Sequence, residues 1–217
     1  MRPLAIAGRS EAPLRLLALG AHSDDIELGC GGTLLTWIER RPSLHVTWVV
    51  FSGAGDRQEE ARTSAAEFLA GAAASDVRTL AFRESFFPSQ AADIKHVFES
   101  LKEAAPDVVL THHRDDAHQD HRLLGELAWN TFRDHLVLEY EIPKYDGDLG
   151  RPNAFVPLDA DVCRRKCELL RKHFASQRER HWFEEEVFLG LMRLRGMECR
   201  SASGYAEAFH ARKIVIG

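Results

Sequence analysis

The segment that decides the fold is residues 16–32, LLALGAHSDDIELGCGG. It opens with a short apolar run at residues 16–19, and such a run predicts a buried strand. A polar stretch, residues 21–27, follows at once, and the glycine-rich residues 29–32 lead into residues 33–38, which read as a helix start. Strand, polar loop and helix in this order are typical of an α/β fold.

Strands and helices alternate along the chain that follows. Further strands are predicted at residues 45–51, 77–82, 107–111 and 136–142, and helices at residues 58–73, 91–104 and 121–132. This alternation predicts a Rossmann-like α/β domain, with a mainly parallel sheet and helices on both faces. Ligands bind at the carboxyl ends of strands in such folds, so we expect the site in the loops that follow strands.

The chain changes character after residue 142. Residues 143–158 are rich in proline and glycine, and they are followed by predicted helices at residues 159–176 and 184–195 and a last strand at residues 213–216. Nothing in the sequence reads as a linker between two domains. We therefore predict a flexible tail over residues 1–13 and a single domain over residues 14–217.

Composition excludes several classes of protein. The 217 residues are 45% apolar and 28% charged, which is ordinary for a globular domain. With 28 Lys and Arg against 33 Asp and Glu, the net charge of -5 does not suit nonspecific nucleic-acid binding. No apolar run approaches the roughly 20 residues of a membrane span, no signal peptide is recognisable, and the four cysteines form no C-x-x-C pair. We expect a cytoplasmic protein with a small-molecule partner.

Two groups of histidines and carboxylates follow predicted strands. His22, Asp24 and Asp25 follow the first strand, and residues 112–121, HHRDDAHQDH, follow the fourth. Imidazole with carboxylate suits a borderline divalent ion, Zn²⁺ first, with Fe²⁺ or Co²⁺ able to use the same donors. His22 and Asp25, three residues apart, can converge on one ion. One histidine of the second group completes the set, and the spacing alone leaves open which one.

The two groups resemble the motifs of a known family. Residues 21–27, AHSDDIE, followed by residues 29–32, GCGG, and residues 116–121, DAHQDH, resemble the LmbE-like/PIG-L family of zinc-dependent N-deacetylases. That family carries A-H-P-D-D-x-E near its N-terminus and a D-x-H-x-D-H-like motif later. Ser23 stands where the family has proline, which we expect to change the rigidity of the loop rather than its chemistry. Residues 205–209, YAEAF, show a weaker resemblance to the same family.

The resemblance implies a ligand set and a base. It assigns His22, Asp25 and His121 as the ligands of one zinc ion per chain, and Asp24 as the general base that takes a proton from water. The reaction implied is metal-assisted hydrolysis of an N-acetyl amide, which gives an amine and acetate.

The resemblance also assigns supporting roles. Protonated His118 would stabilise the oxyanion or protonate the leaving amine, and Asp120 would orient His118. Glu27 would be structural. Arg57, in the loop after the second strand, matches an arginine that contacts the sugar.

The substrate is the least defined part of the prediction. The resemblance implies an N-acetylated amino sugar, free or within a conjugate, and a homo-oligomer is compatible with it. Tyr145, Asp146 and Asp148 lie in a turn-rich stretch that suits hydroxyl recognition, so we count them with Arg57 as candidate substrate-binding residues. The alternatives are hydrolysis of a non-sugar amide or thiol conjugate at the same metal site, and a non-catalytic metal- or sugar-binding protein.

Overall fold

The computed structural model describes residues 4–6 and 13–215. The strands are β1 (Arg15–Gly20), β2 (His45–Val50), β3 (Ala74–Thr79), β4 (Val108–His112), β5 (Leu136–Tyr140), β6 (Ala154–Leu158) and β7 (Tyr205–Ala211). The helices are α1 (Asp25–Arg40), α2 (Asp56–Phe68), α3 (Ala91–Leu101), α4 (Gln119–Thr131), α5 (Ala160–His173) and α6 (Glu185–Cys199). Short 3-10 turns cover Phe87–Gln90, Lys102–Ala104 and Ala175–Gln177.

All these strands belong to one sheet, in the order β3-β2-β1-β4-β5-β7-β6. The first five strands in the chain run parallel to one another, and β7 runs antiparallel to both β5 and β6. The chain moves outward from β1 in one direction to β2 and β3, and then returns to add β4 on its other side. The carboxyl ends of β1 and β4 therefore flank the point where the strand order reverses, which is where α/β sheets bind ligands.

Two apolar cores explain why the first strand is an unbroken apolar run. Leu16 and Ala18 face the core under α1, α2, α5 and α6, whereas Leu17 and Leu19 face the core under α3 and α4. A strand covered on both faces needs apolar residues at every position rather than at alternate ones. The predicted α/β class, with a mainly parallel sheet covered on both faces, is confirmed.

Three element boundaries differ from the sequence prediction. The third strand is Ala74–Thr79 rather than residues 77–82. Leu80 and Phe82 gave the apolar pattern, but they pack on the core from the loop that follows the strand. The helix predicted to begin at Thr33 begins at Asp25. The helix predicted over residues 58–73 ends at Phe68, ahead of the turn that contains Gly71.

The C-terminal part of the prediction needs a larger correction. Residues 213–215 are not a strand, and residue 216 lies outside the described residues; the last strand is β7. The sequence prediction also missed β6, which lies at the edge of the sheet and contains Pro157. Proline has no backbone N–H to donate within a sheet, so it is tolerated in an edge strand. The predicted tail falls largely on residues 1–3 and 7–12, which lie outside the described residues.

Helix α1 is interrupted where the sequence has its glycines. Cys30 departs from helical geometry, with φ of -146°. Gly29 and Gly32 allow close contacts, since a Cβ on Gly29 would lie 2.1 Å from the Tyr140 ring. The second half of the helix starts on a carboxylate from β7: Glu207 accepts hydrogen bonds from the amides of Gly32 (2.8 Å) and Thr33 (2.6 Å). The far strand thus caps the helix at the break.

A buried lysine neutralises that carboxylate. The Lys166 ammonium donates to Glu207 (2.7 Å) and to the Leu28 carbonyl (2.6 Å), and both side chains are almost fully buried. Lys166 therefore serves both sides of the break, by satisfying a carbonyl of the first half and balancing the charge that caps the second.

Among the described residues, none of the helices combines the length and the apolar composition that a membrane span requires.

We expect Glu207→Gln to lower the free energy of unfolding by about 3 kcal/mol, because Lys166 would stay buried without a counter-charge. Glu59→Gln is the matched control, since Glu59 pairs with Arg62 at 3.6 Å on the open surface and should cost less than about 1 kcal/mol. Urea unfolding followed by circular dichroism measures both. Equal costs for the two substitutions would show that the buried pair contributes no more than a surface pair.

Candidate active site

The three predicted metal ligands converge at the ends of β1 and β4. His22 lies in the loop between β1 and α1, Asp25 is the first residue of α1, and His121 lies in the first turn of α4. His22 Nδ1 is 3.1 Å from His121 Nε2 and 3.4 Å from Asp25 Oδ2, and His121 Nε2 is 3.5 Å from Asp25 Oδ1. All three residues are buried. The fold thus brings together two ring nitrogens and a carboxylate, although His22 and His121 are 99 residues apart in sequence.

The outer nitrogens of both rings contact carboxylates. His22 Nε2 lies 3.2 Å from Asp120 Oδ2, and His121 Nδ1 lies 3.1 Å from Asp116 Oδ2. An ionised carboxylate only accepts hydrogen bonds, so each outer nitrogen carries the proton. The inner nitrogens, His22 Nδ1 and His121 Nε2, face each other, and either a shared proton or a cation can lie between them.

Two ring nitrogens at 3.1 Å need a proton or a cation between them, because two bare lone pairs would repel. Tetrahedral zinc with ligands at about 2.05 Å places neighbouring donor atoms about 3.3 Å apart. The distance between the two ring nitrogens lies close to that value, as do those from His22 to Asp25 Oδ2 and from His121 to Asp25 Oδ1. The residues present therefore fit a divalent metal with imidazole and carboxylate ligands.

The electrostatics of the pocket favour positive charge. Burial lowers the pKa of His22, but Asp25, Asp120 and Glu84 outweigh it and raise the pKa to about 10. Burial likewise raises the pKa of Asp25, yet the three neighbouring histidines hold it well below its ordinary value. A buried carboxylate that stays ionised beside histidines is the environment that a cation requires.

Two other sets of three residues in the described chain also bring donor atoms close enough to hold a metal, and both include His121. One set is His22, His118 and His121, and the other is Asp25, His112 and His121. His112 is fully buried, stacks on His121 with ring centroids 3.9 Å apart, and accepts a hydrogen bond from the Ala21 amide at Nε2 (2.9 Å). That bond uses the lone pair that a metal would need, so His112 is a packing residue in this geometry.

His113 belongs to a different cluster. It stacks on His210 with centroids 3.9 Å apart, and its Nε2 lies 3.5 Å from Glu139. His113 is therefore outside the groups that could hold a metal. Glu27 is also separate: it is buried and accepts a hydrogen bond from the Ser64 hydroxyl (2.6 Å).

Asp24 has a carboxylate oxygen free for chemistry. Asp24 Oδ1 lies 3.4 Å from the Arg57 guanidinium, whereas Oδ2 is buried with no hydrogen-bond partner. Burial, followed by the charge of Asp25, raises the pKa of Asp24 to about 6, although Arg57 and His22 act to lower it. A carboxylate with a raised pKa and an unused oxygen is a stronger base than an ordinary aspartate.

The His118 ring packs against His22 and His121. It is the N-cap of α4, and its Nδ1 accepts from the Asp120 amide (3.2 Å), so the proton of the neutral ring is on Nε2. The ring centroid lies 4.9 Å from that of His22 and 4.6 Å from that of His121. Burial and the charge of His22 lower the pKa of His118. The ring is therefore a neutral donor rather than the imidazolium that the resemblance implies.

Asp120 contacts a different partner from the one the resemblance implies. Its carboxylate bonds His22, and only its backbone amide reaches His118. The carboxylate also accepts from the amides of Ser85 (2.6 Å) and Phe87 (3.1 Å), in the segment after β3. Sequence reasoning missed this segment, although the end of a third strand at the same sheet edge was a usable signal.

The candidate substrate-binding residues lie in two places. Arg57 lies between Asp24 and Glu84, beside the ligands. Tyr145 is 69% exposed and Asp146 is also exposed. Asp148 is used internally, because it accepts from the Ala117 amide (2.7 Å) and from Lys144. Sequence reasoning assigned no role to Asp116 or Lys144.

A family model described as PIG-L, GlcNAc-PI de-N-acetylase, matches residues 17–132. The chain belongs to the PIG-L family. The matched range holds both motifs, including His22, Asp24, Asp25, His118 and His121, whereas β5, β6, α5, α6 and β7 lie beyond it.

Solved structures share the fold of this PIG-L protein. N,N'-diacetylchitobiose deacetylase from Pyrococcus horikoshii matches with a TM-score of 0.72 at 18% identity, over 91% of this chain and 83% of its own. The A40926 pseudoaglycone deacetylase matches at 0.68 and 18% identity, over 94% and 99%. The 4-carboxy-2-hydroxymuconate hydratase GalB from Pseudomonas putida KT2440 matches at 0.72 and 17% identity, over 94% and 98%. A hydratase among them shows that the fold alone does not define the reaction.

We expect Asp120→Ala to speed hydrogen exchange of the Ser85 amide at least about tenfold, because a bond to a charged acceptor contributes roughly 1.5–3 kcal/mol. Asp116→Ala is the matched control. It should leave Ser85 unchanged and instead speed exchange of the His118 amide, which donates to Asp116 at 2.7 Å. Exchange measured at single-amide resolution tests both. The same Ser85 rate in both variants would disprove the anchoring role of Asp120.

Proposed function

We propose that this PIG-L protein is a metal-dependent hydrolase that removes an N-acetyl group from an amino sugar or sugar conjugate and releases acetate. One observation carries the proposal: the donor atoms of His22, Asp25 and His121 converge beside a buried Asp24 oxygen that has no partner. We propose residues 14–217 as the deacetylase domain.

We propose His22, Asp25 and His121 as the ligands of one Zn²⁺ ion, with Fe²⁺ or Co²⁺ able to use the same donors. When bound, the ion supplies Lewis acidity toward the amide carbonyl and toward water. Asp120 and Asp116 hold the two imidazoles with their lone pairs inward, so the chain presents its donors already oriented.

Asp24 is the proposed general base. Its Oδ2 takes a proton from the attacking water, while Arg57 holds Oδ1 and keeps the carboxylate directed at one site. The water oxygen bonds to the acyl carbon, and the proton passes to the leaving nitrogen as the C–N bond breaks. The products are a free amine and acetate.

His118 is the proposed stabiliser of developing charge. The Nε2–H of its neutral ring donates a hydrogen bond to the acyl oxygen as negative charge builds there, while the proton taken by Asp24 goes to the leaving amine. The Asp120 amide fixes this tautomer from the opposite side of the ring. Asp120 thus supports a ligand through its carboxylate and the donor through its backbone.

The sugar substrate rests on the family and on named relatives. The description of the family model is GlcNAc-PI de-N-acetylase, and one protein of the same fold is an N,N'-diacetylchitobiose deacetylase. We propose that Arg57, Tyr145 and Asp146 bind substrate hydroxyls, and that Asp148 contributes by holding its segment against residue 117.

We expect zinc-loaded protein to release acetate from a pool of N-acetylated amino sugars and sugar conjugates. Asp24→Asn should keep the metal and lose about 10²–10⁴-fold in rate, because the substitution removes the base and keeps the shape. Acetate quantified after incubation measures the rate, and metal analysis confirms loading.

Turnover by Asp24→Asn at the wild-type rate would disprove the base assignment. Acetate from a parallel pool of acetylated non-sugar amines, and none from the sugars, would replace the sugar with a different amide. Binding of sugars with no acetate from either pool would replace the enzyme with a binding protein.

We expect His121→Ala to lose stoichiometric zinc, because His121 belongs to the proposed ligand set and to both other sets of residues that could hold a metal. His113→Ala is the matched control and should keep one zinc per chain, since His113 pairs with His210 and Glu139 instead. Atomic absorption on dialysed protein measures both. Unchanged zinc in His121→Ala would move the third ligand to another histidine.

A further inference from the structure

Lys144, in the segment after β5, contacts the loop after β4 that carries the motif of residues 116–121. The Lys144 ammonium lies 2.6 Å from both oxygens of Asp148 and 3.0 Å from Asp116 Oδ2, and its side chain is only 11% exposed. Asp148 in turn accepts from the Ala117 amide. Two loops distant in sequence therefore share one ammonium and two carboxylates.

Asp116 connects this cluster to the metal centre. Its Oδ2 contacts both Lys144 and His121 Nδ1, and its Oδ1 accepts from the His118 amide. Asp116 is thus an acceptor shared by both loops, and it has little contact with water because it is buried.

We infer that Lys144 is a positioning residue for the metal centre: its ammonium holds Asp116 and Asp148 together and so keeps the Asp116 carboxylate on His121. The inference rests on the proposed function, in which His121 is a metal ligand. Lys144 touches neither the ligands nor Asp24 and acts only through Asp116.

Charge explains why an ammonium is required at this position. Asp116 and Asp148 both lie within 3.0 Å of the same nitrogen, and Asp116 is buried. Without the ammonium, two carboxylates would face each other in a medium that screens charge poorly, and they would repel. Asp116 would then be drawn off His121, and loss of such a partner typically weakens metal binding about 10–100-fold.

The repulsion predicts a pattern across two substitutions. Lys144→Met should raise the zinc dissociation constant about 10–100-fold. Asp148→Asn should leave it within about threefold, because Lys144 still holds Asp116. The double variant should recover most of the affinity lost in Lys144→Met, because no second carboxylate remains to repel Asp116. A residue that merely supports local structure would instead make the double variant as weak as the single one, or weaker.

The experiment is a zinc titration in competition with a chromophoric chelator, on wild type and the three variants. Lys95→Met is the matched control. Lys95 donates to Thr131 at 2.7 Å, at the opposite end of α4 from His121, about 15 Å away along the helix. Its zinc affinity should equal that of wild type. In Co²⁺-substituted protein, Lys144→Met should shift the visible absorption bands of the ion, and Asp148→Asn should not.

The outcomes separate this inference from the function. Wild type with no stoichiometric zinc would overturn both. Wild type that binds zinc and releases acetate, with Lys144→Met within twofold in affinity, would overturn the role of Lys144 alone. If Lys144→Met does not fold by circular dichroism, the double variant decides: near wild-type affinity supports the inference, and a tenfold loss overturns it.

Discussion

Two hydrogen bonds between imidazole and carboxylate define this molecule. Asp120 holds the outer nitrogen of His22, and Asp116 holds that of His121, so the two inner nitrogens face each other. At 3.1 Å these nitrogens need a proton or a cation between them, because two bare lone pairs would repel. The remaining architecture serves this constraint, since the sheet places β1 and β4 side by side and delivers both motifs to one edge.

Charge balance around the pocket follows from the same constraint. Each carboxylate that orients a ring needs its own partners, and the chain supplies them from separate places: backbone amides after β3 for Asp120, and Lys144 after β5 for Asp116. Arg57, after β2, lies against Asp24. Segments that follow all five parallel strands thus meet at one point, and those after β2, β3 and β5 contribute the group of opposite sign or the donor.

Local patterns predicted the part of the fold that local forces decide. The apolar run before His22 and the polar residues after it identified the strand, the sheet edge and the motif loops. The partner of Asp120 was not predictable, because a motif gives spacing along the chain and not the direction of a carboxylate. Lys144 and the edge strand β6 were missed for a related reason: both depend on contacts with segments remote in sequence.

The capped break in α1 has a consequence for biosynthesis. The amides of Gly32 and Thr33 obtain their acceptor from Glu207, which is 175 residues downstream of Gly32. A nascent chain therefore carries the loop with His22 while the adjoining helix still lacks its cap. Such long-range closure slows folding, and the break in α1 stays uncapped until residue 207 has left the ribosome.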